Sequence, residues 1–547
     1  FAAPTGEHDM TTGVAVSRSG STTNIGASAA NNVIKWKDYS VASGETVAYD
    51  TKNYLNLVTG ANTSAINGTI TGGGKIYLVN PNGVIFGKTA SVNVGSLHVS
   101  TQPINTVNTA ADMANNVSPL STSAAGLSDV VNMGSITATN VEVVGKNIRF
   151  LNAADVHSSN VVMYTDTAND GTAHIGYRGT APTSGYTVNG TAATAADNYY
   201  QLVANATEFQ DINNDLTKNY MLENDIDFAG GSLTPLGNGS QFTGKVEGNF
   251  FKVQNFTAAG GNRVGLFGAT NAARIENLGV TGATITGGTS SSDYTGGIVG
   301  YATGSKLKNV YVTNTTVTGS AGRHGGIAGG TVNTTIDGAY SKAHIGEGGG
   351  IIGHSLSGTV VNDTYSDVTT SGTGTYFIYY MQPANGTTIN NSYSYGNQFT
   401  WSNLTSNITN TFEINRVTGK ANPVGSTNQK DAYAVDTYSA WGNAINNTGD
   451  PGAKWRIYEG RTAPMLTAFM SGTATANYNY RYFKADGTLD PDSSNAVKSN
   501  NGADVTDLTY NSRYVKIVNA AGTGLGDKSD KVIYEGGVDL NKVHDYK

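Results

Sequence analysis

Four short glycine-bracketed motifs constrain this chain most. Gly265-Leu266-Phe267-Gly268 is followed by Gly297-Ile298-Val299-Gly300, Gly326-Ile327-Ala328-Gly329 and Gly350-Ile351-Ile352-Gly353, at intervals of 32, 29 and 24 residues. A fixed motif at drifting intervals is the signature of a solenoid, whose corners recur while its loops vary. Each motif is trailed by an apolar unit bearing Asn or Asp. These are Ile275-Glu276-Asn277-Leu278, Leu307-Lys308-Asn309-Val310, Ile336-Asp337-Gly338-Ala339 and Val360-Val361-Asn362-Asp363. A further rung falls at Thr388-Ile389-Asn390-Asn391-Ser392-Tyr393. The pattern predicts that the Leu, Ile and Val side chains stack inward between coils. It predicts glycines at corners whose dihedrals exclude a Cβ, and asparagines in side-chain ladders along the stack.

Composition agrees with β coils. Glycine supplies 70 of 547 residues, proline only 11, and charged residues 13%. Abundant Thr, Asn, Ser, Val, Ile and Tyr favour strands and turns over helices. No run of apolar residues is long enough to cross a membrane as a helix. The net charge of −7, without a basic cluster, argues against nucleic acid. The absence of cysteine removes disulfides, thiolate metal sites and thiol nucleophiles together. A large, weakly charged, cysteine-free β chain fits an exported bacterial surface protein. The opening Phe1-Ala2-Ala3-Pro4 reads as a mature form whose signal peptide has been removed.

The first third repeats short β-rich runs punctuated by Gly or Asn, from Val33–Tyr39 to Val92–Val99, with a second series starting at Asn132. Within it, Ile76–Val79 and Val84–Phe86 are joined by Asn80-Pro81-Asn82-Gly83. Pro81 presets its φ and Asn82-Gly83 accept positive φ, so this tetrapeptide is a tight turn.

Four blocks surround that turn: VIKWKDYSVASGETVAYD (33–50), LNLVTG (55–60), INGTITGGGKIYLVNPNGVIFG (66–87) and ASVNVGSLHVST (90–101). In order and spacing they resemble the secretion domain of two-partner-secretion exoproteins, a family that includes filamentous haemagglutinins, secreted haemolysins and high-molecular-weight adhesins. The resemblance implies a right-handed parallel β-helix with an N-terminal cap, recognised in the periplasm by a dedicated outer-membrane β-barrel transporter. It also implies that Asn80, Pro81, Asn82 and Gly83 are the turn on which secretion depends. The glycine-bracketed motifs resemble the GLUG repeat of bacterial surface proteins. LTKNYMLENDID (216–227) and GKVEGNFFKVQNFT (244–257) are similar to its lead-in, and WRIYEGRTAPML (455–466) to its close.

The expected fold class is therefore all-β: a right-handed parallel β-helix with an N-terminal cap, plus a small C-terminal β region. The expected division is a secretion domain over 1–180, a Thr/Ala/Gly-rich linker over 181–197, a GLUG-type β-helix over 198–470, and a small β domain or the start of a repeat array over 471–547.

The eight histidines fall into no metal-binding spacing; His344 and His354 are the pair that adjacent coils would bring together. Asp166 to Gly171 has a calcium-loop flavour but lacks the acidic third position and the distal Glu, so a polar turn is expected. Glu223, Asp225 and Asp227 alternate, which on a strand would place them on one face for cation binding or acid–base work. The expectation is no enzyme, no cofactor and no metal. The leading surface feature is aromatic: Tyr376, Tyr379, Tyr380, Tyr393, Tyr395 and Trp401 lie close together in sequence. Flat rings flanked by Asn and Asp suit sugars, which present CH faces and hydroxyls. The sequence thus points to a secreted or cell-surface adhesin of a Gram-negative bacterium, partnered by an outer-membrane transporter and by host glycans or glycoproteins. Two alternatives stay open: the stem of a contact-dependent inhibition or haemolysin-type toxin, and a β-helix polysaccharide-degrading enzyme.

Overall fold

In the computed structural model the described residues are 3–60, 62–108, 113, 118–121, 123–320, 323–371, 374–381, 386–400, 407–415, 418–446, 452–457 and 463–469, followed by 479–484, 488–489, 491, 496–499, 513–518 and 532–533. The chain is nearly all β and forms two compact units, one over Phe1–Leu202 and a second from Val203 onward.

The first unit winds through two parallel sheets. One carries Thr22–Ala27, Thr46–Tyr49, Thr69–Val79, Ser91–Ser100, Asn140–Val144, Asn160–Tyr164 and Tyr186–Val188 in successive coils. The other carries Ser64–Ile66, Val84–Phe86, Val130–Asn132, Ile148–Phe150 and Ala173–Tyr177. Pairing changes to antiparallel at the start, where Val14–Ser19 folds back on Thr22–Ala27. That hairpin covers a strand edge that would otherwise be an open template for pairing. Inward side chains alternate with outward ones, so Ile70, Val92, Ile136 and Val156 form a continuous buried column. Trp36 is fully buried, its indole N–H donating to Asn56 Oδ1 at 2.8 Å.

Residues 181–197 belong to this unit. Tyr186–Val188 continues the parallel sheet beside Val161–Met163, and Thr191–Ala192 turns back antiparallel on it. The Thr/Ala/Gly composition that reads as a linker serves here as a closing hairpin, with Tyr186 buried as its anchor.

The second unit opens with a short helix, Ala206–Gln210, continued by a 3-10 turn over Asp211–Asn214. Asn205 Oδ1 caps the helix by accepting the Glu208 N–H at 3.0 Å, and Glu208 reaches back to accept the Ala204 N–H at 2.7 Å, which together fix the helix start. Phe209 and Ile212 plug the first coil from this side. Two parallel ladders follow. One passes through Arg274–Thr281, Lys306–Thr318, Thr335–Asp337 with Tyr340–Ile345, Val360–Asn362 and Thr388–Asn390. The other passes through Phe267–Asn271, Val299–Thr303, Ala328–Val332, Gly349–Ser357 and Tyr376–Met381. Antiparallel strands Lys420–Pro423 and Lys430–Asp431 end the first ladder. Farther on, Asn479–Lys484, Lys498–Ser499, Arg513–Val518 and Val532–Ile533 form a small antiparallel sheet, the expected C-terminal β region.

The repeat apolar residues stack inward as the motif predicts: Leu266, Ile298, Ile327 and Ile351 are all fully buried. The glycines have a different reason from the one expected. None of the eight bracketing glycines lies in the left-handed region. They are required because neighbouring backbone is too close: a Cβ on Gly297 would sit 2.2 Å from the Gly326 carbonyl, and one on Gly326 2.1 Å from that of Gly350. The left-handed corners fall instead on the trailing unit. Asn277, Asn309, Gly338, Asp363, Asn391 and Asn410 all have φ between 46 and 72°, one per coil. Asn and Asp tolerate this region better than other residues with a Cβ, which explains why the repeat spells Asn, Asp or Gly there. Asn309 Nδ2 donates to Asn277 Oδ1 at 2.9 Å and Asn390 Nδ2 to Asn362 Oδ1 at 3.1 Å, so the ladders form in short runs.

Candidate functional site

The Asn80-Pro81-Asn82-Gly83 turn is held between the coils before and after it. Gly83 N–H donates to the Asn80 carbonyl at 3.0 Å and adopts φ 111°. Asn80 is fully buried. Its Oδ1 accepts the Asn82 backbone N–H at 3.0 Å and the Asn82 side-chain amide at 3.1 Å. Its Nδ2 reaches back one coil, donating to the Asn62 carbonyl at 2.8 Å and to Ser64 Oγ at 3.0 Å. Asn82 Nδ2 donates to the Gly60 carbonyl, and Thr63 Oγ1 to the Asn82 carbonyl, both at 2.8 Å. The forward coil contributes Ser128 Oγ, which donates to the Pro81 carbonyl at 2.8 Å, and the Ser100 carbonyl, which accepts the Asn80 N–H at 2.9 Å. The Asn80 side chain thus joins the turn to the coil before it, and the turn backbone joins it to the coil after. Next to it, Asp129 and Arg149 pair at 2.6 Å. Burial works to raise the Asp129 pKa, but Arg149, with the Asn147 amide, outweighs it and holds the carboxyl below its usual range.

A second polar group lies on the outer face of the same unit. Ser96 Oγ is 3.0 Å from His98 Nε2, and His98 Nδ1 is 2.8 Å from Glu142 Oε1. The order resembles a hydrolase relay. Ser96, however, is only 6% exposed, Tyr77 stacks on His98 at 4.1 Å, and Ser118 from the covering loop donates to Glu142. The parallel ladders on both sides engage the strand amides that an oxyanion hole would need. This seam fastens the loop over the coil.

The predicted aromatic residues separate into two environments. Tyr393 is 3% exposed, stacks on Tyr365 at 5.0 Å and donates its hydroxyl to the Pro464 carbonyl. It offers no face to a ligand, because the chain near residue 464 covers it. Tyr395 is half-buried, with its hydroxyl 3.2 Å from that of Tyr433. Trp401 lies outside the described residues. Tyr376, Tyr379 and Tyr380 share the strand Tyr376–Met381 and are all partly exposed. Tyr376 and Tyr379 meet edge to face at 5.5 Å, and Tyr379 donates to Glu347 Oε1 at 2.7 Å.

The other sequence candidates are taken up by structure. The strand breaks between Leu222 and Ile226, so Glu223, Asp225 and Asp227 share no single face. Asp225 accepts the Lys252 N–H at 3.2 Å and Asp227 the Asn255 side-chain amide at 3.0 Å. His344 pairs with Thr316 and Thr369 in one sheet while His354 pairs with Gly330 and Tyr380 in the other, so the two histidines do not meet. Asp166 and Asp170 bracket a one-turn 3-10 bend. The sequence reading missed a group upstream on the same sheet as Tyr380: Arg263, Tyr294, Tyr301, Arg323 and His354. Its signal was scattered, one or two residues in each coil.

Residues 2–180 match the TPS secretion domain family and residues 291–318 the GLUG motif. The heme/hemopexin-binding protein of Haemophilus influenzae is 37% identical over 75 residues, which are 13% of this chain and 8% of that relative. The chain therefore matches only a small part of its curated relative. Among solved structures, a candidate immunoglobulin A1 protease from Bacteroides ovatus aligns at 19% identity, covering 50% of this chain and 94% of that one, with a TM-score of 0.38. The HMW1 secretion domain from Haemophilus influenzae aligns at 14% identity, covering 73% and 96%, with a TM-score of 0.24. The chain thus carries a two-partner-secretion domain over residues 2–180, with a GLUG motif behind it at 291–318.

Proposed function

We propose that this chain is exported by an outer-membrane transporter that recognises the N-terminal unit, and that outside the cell it acts as an adhesin holding host glycans. The observation that carries the export half is the buried Asn80, which ties the turn to the coils on either side. A transporter that reads this unit needs the turn and its neighbouring coils in one fixed arrangement, and Asn80 supplies that arrangement. The adhesin half rests on Tyr376, Tyr379 and Tyr380, an accessible row of rings with Glu347 as hydrogen-bonding neighbour.

The experiment is release into the medium by cells carrying the chain and its transporter. Asn80→Ala and Asn82→Ala are expected to hold most of the chain in the periplasm, where normal release would remove the assigned role of the turn. The released wild-type chain, placed on a glycan array, is expected to bind. An array with no sugar bound would remove the adhesin half and leave the export half standing.

A further inference from the structure

Two columns of side chains run across successive coils on the sheet that carries Tyr380. In the first, Arg263 pairs in register with Tyr294. Thr295 lies opposite His324, which sets Arg323 beside Tyr294 on the following coil. In the second, Tyr301 is followed in register by Gly330, His354 and Tyr380. The columns touch: the Tyr294 ring is 4.9 Å from that of Tyr301 and 6.4 Å from that of His354. Gly330 makes this possible, since a Cβ there would lie 2.6 Å from Tyr294 Cδ1 and 2.8 Å from Tyr301 Cδ2.

The cations of this cluster are placed in an unusual way. The Arg323 guanidinium lies over Tyr294 at 5.0 Å and donates to its hydroxyl. The Arg263 guanidinium lies over Tyr301 at 4.6 Å. Among the described residues neither arginine has a carboxylate partner. An arginine stacked on a ring keeps its edge N–H groups free for a planar anion. His354, 9% exposed, sits among Tyr294 and Tyr380 with Nε2 buried and without a hydrogen-bond partner. Burial, with Arg323 adding to it, pushes the His354 pKa down to about 4, so at neutral pH the ring is uncharged and one nitrogen stays free to bond. On a chain of net charge −7, two unpaired guanidiniums on one aromatic face mark a local reversal of sign.

We infer that this face binds an anionic sugar, with the charged group of an acidic glycan held by Arg263 and Arg323 and the pyranose ring lying along Tyr301 and Tyr380, both partly exposed beside the buried Tyr294. Aromatic faces take the CH side of a sugar, and the guanidinium fork takes carboxylate or sulfate in two parallel hydrogen bonds. A hydroxyl of the same sugar fills the open valence of His354. The inference rests on reading this face as carbohydrate-binding and adds the class of sugar.

The test uses the full chain, titrated by calorimetry with a polyuronate, with dextran sulfate and with neutral dextran. Binding is expected in at least one acidic arm, weakening with added salt, and the arm that binds distinguishes carboxylate from sulfate. The double variant Arg263→Gln/Arg323→Gln is expected to bind that polymer roughly tenfold more weakly, and Arg323→Glu to abolish binding, with an unchanged circular dichroism spectrum in each case. His354→Gln, which keeps a hydrogen-bonding group, is expected to retain most of the affinity. Full affinity in the double variant would overturn the inference. So would binding of neutral dextran alone, unaffected by the arginine changes, which would leave the carbohydrate reading in place. Binding to none of the three polymers would overturn both.

Discussion

A buried side-chain amide is costly unless its donors and acceptors are satisfied; Asn80 satisfies its acceptor within the turn and its donors on the coil before it. That makes it a positioning residue with little tolerance for change. Asp129 beside it makes the same region sensitive to acid. Its folded pKa is depressed, so its contribution to stability is fully present above the unfolded value of about 3.9 and is lost as pH falls through the lower folded value. We expect the first unit to lose protection in acid below about pH 4, and Asp129→Asn to flatten that dependence while lowering stability at pH 7. Hydrogen exchange of strands Val84–Phe86 and Val130–Asn132 between pH 3 and 7 checks this, and an unchanged acid profile in Asp129→Asn would exclude the pair as its source. The turn was legible in the sequence because Pro, Asn and Gly act locally. The role of Asn80 in joining coils was not, because its partners Asn62, Ser64 and Ser100 are set by winding. The arginine–tyrosine face was hidden for the same reason: Arg263, Tyr294 and Arg323 are neighbours only after the chain has completed each coil.

At the scale of elements, a second aromatic stack shows how a predicted binding residue becomes structural. Tyr311, Tyr340, Tyr365 and Tyr393 stack one per coil at 5.0 to 5.2 Å with nearly parallel rings. Read along the chain, this spacing is indistinguishable from an exposed sugar-binding row. What decides the matter is a group of later residues, Trp441, Trp455 and Phe469, which close over the stack as a strap. Phe469 meets Tyr311 and Tyr340 edge-on, Trp455 packs on Tyr365 and Tyr393, and Trp441 packs on Trp455. Lys454 fastens the strap to Asp337 at 2.8 Å and Asp363 at 3.0 Å, and Trp455 Nε1 donates to Asp363 at 2.9 Å. Burial opposes the charge on Lys454, but the two carboxylates prevail and raise its pKa. Residues 452–457 and 463–469 are therefore a cover, and they contain a fully buried Trp455. Trp455→Ala is expected to cost about 3–5 kcal/mol of strap docking and to leave the coils beneath intact. Limited proteolysis should then cut within 435–469 while the parallel ladders stay protected from exchange. Loss of protection throughout Lys306–Tyr395 would show instead that the strap and coils fold as one.

Across the second unit, each coil pairs with its neighbours in parallel register, interrupted by a few local shifts, so its stability is close to a sum of coil and interface terms. The register names the equivalent positions: Val299 faces Ala328, Lys306 faces Thr335 and Tyr311 faces Tyr340. Removing residues 299–327 joins Ile298 to Ala328 and deletes one coil without shifting any strand. Phe267 then stands against Ala328 and Ile275 against Ile336, both buried apolar contacts. The left-handed corner at Asn277 meets the one at Gly338. The shortened chain is expected to keep its β circular dichroism and the exchange protection of Tyr340–Ile345 and Val360–Asn362, and to lose acidic-sugar binding because Tyr301 and Arg323 go with the deleted coil. Removing residues 299–312 instead would place Thr313 where the ladder needs Ala328 and set strand residues against corner residues, and that variant is expected to lose protection through the later coils. Equal protection in both variants would mean that register does not organise the unit. Loss of protection in the whole-coil deletion would mean that some contact beyond nearest neighbours holds it.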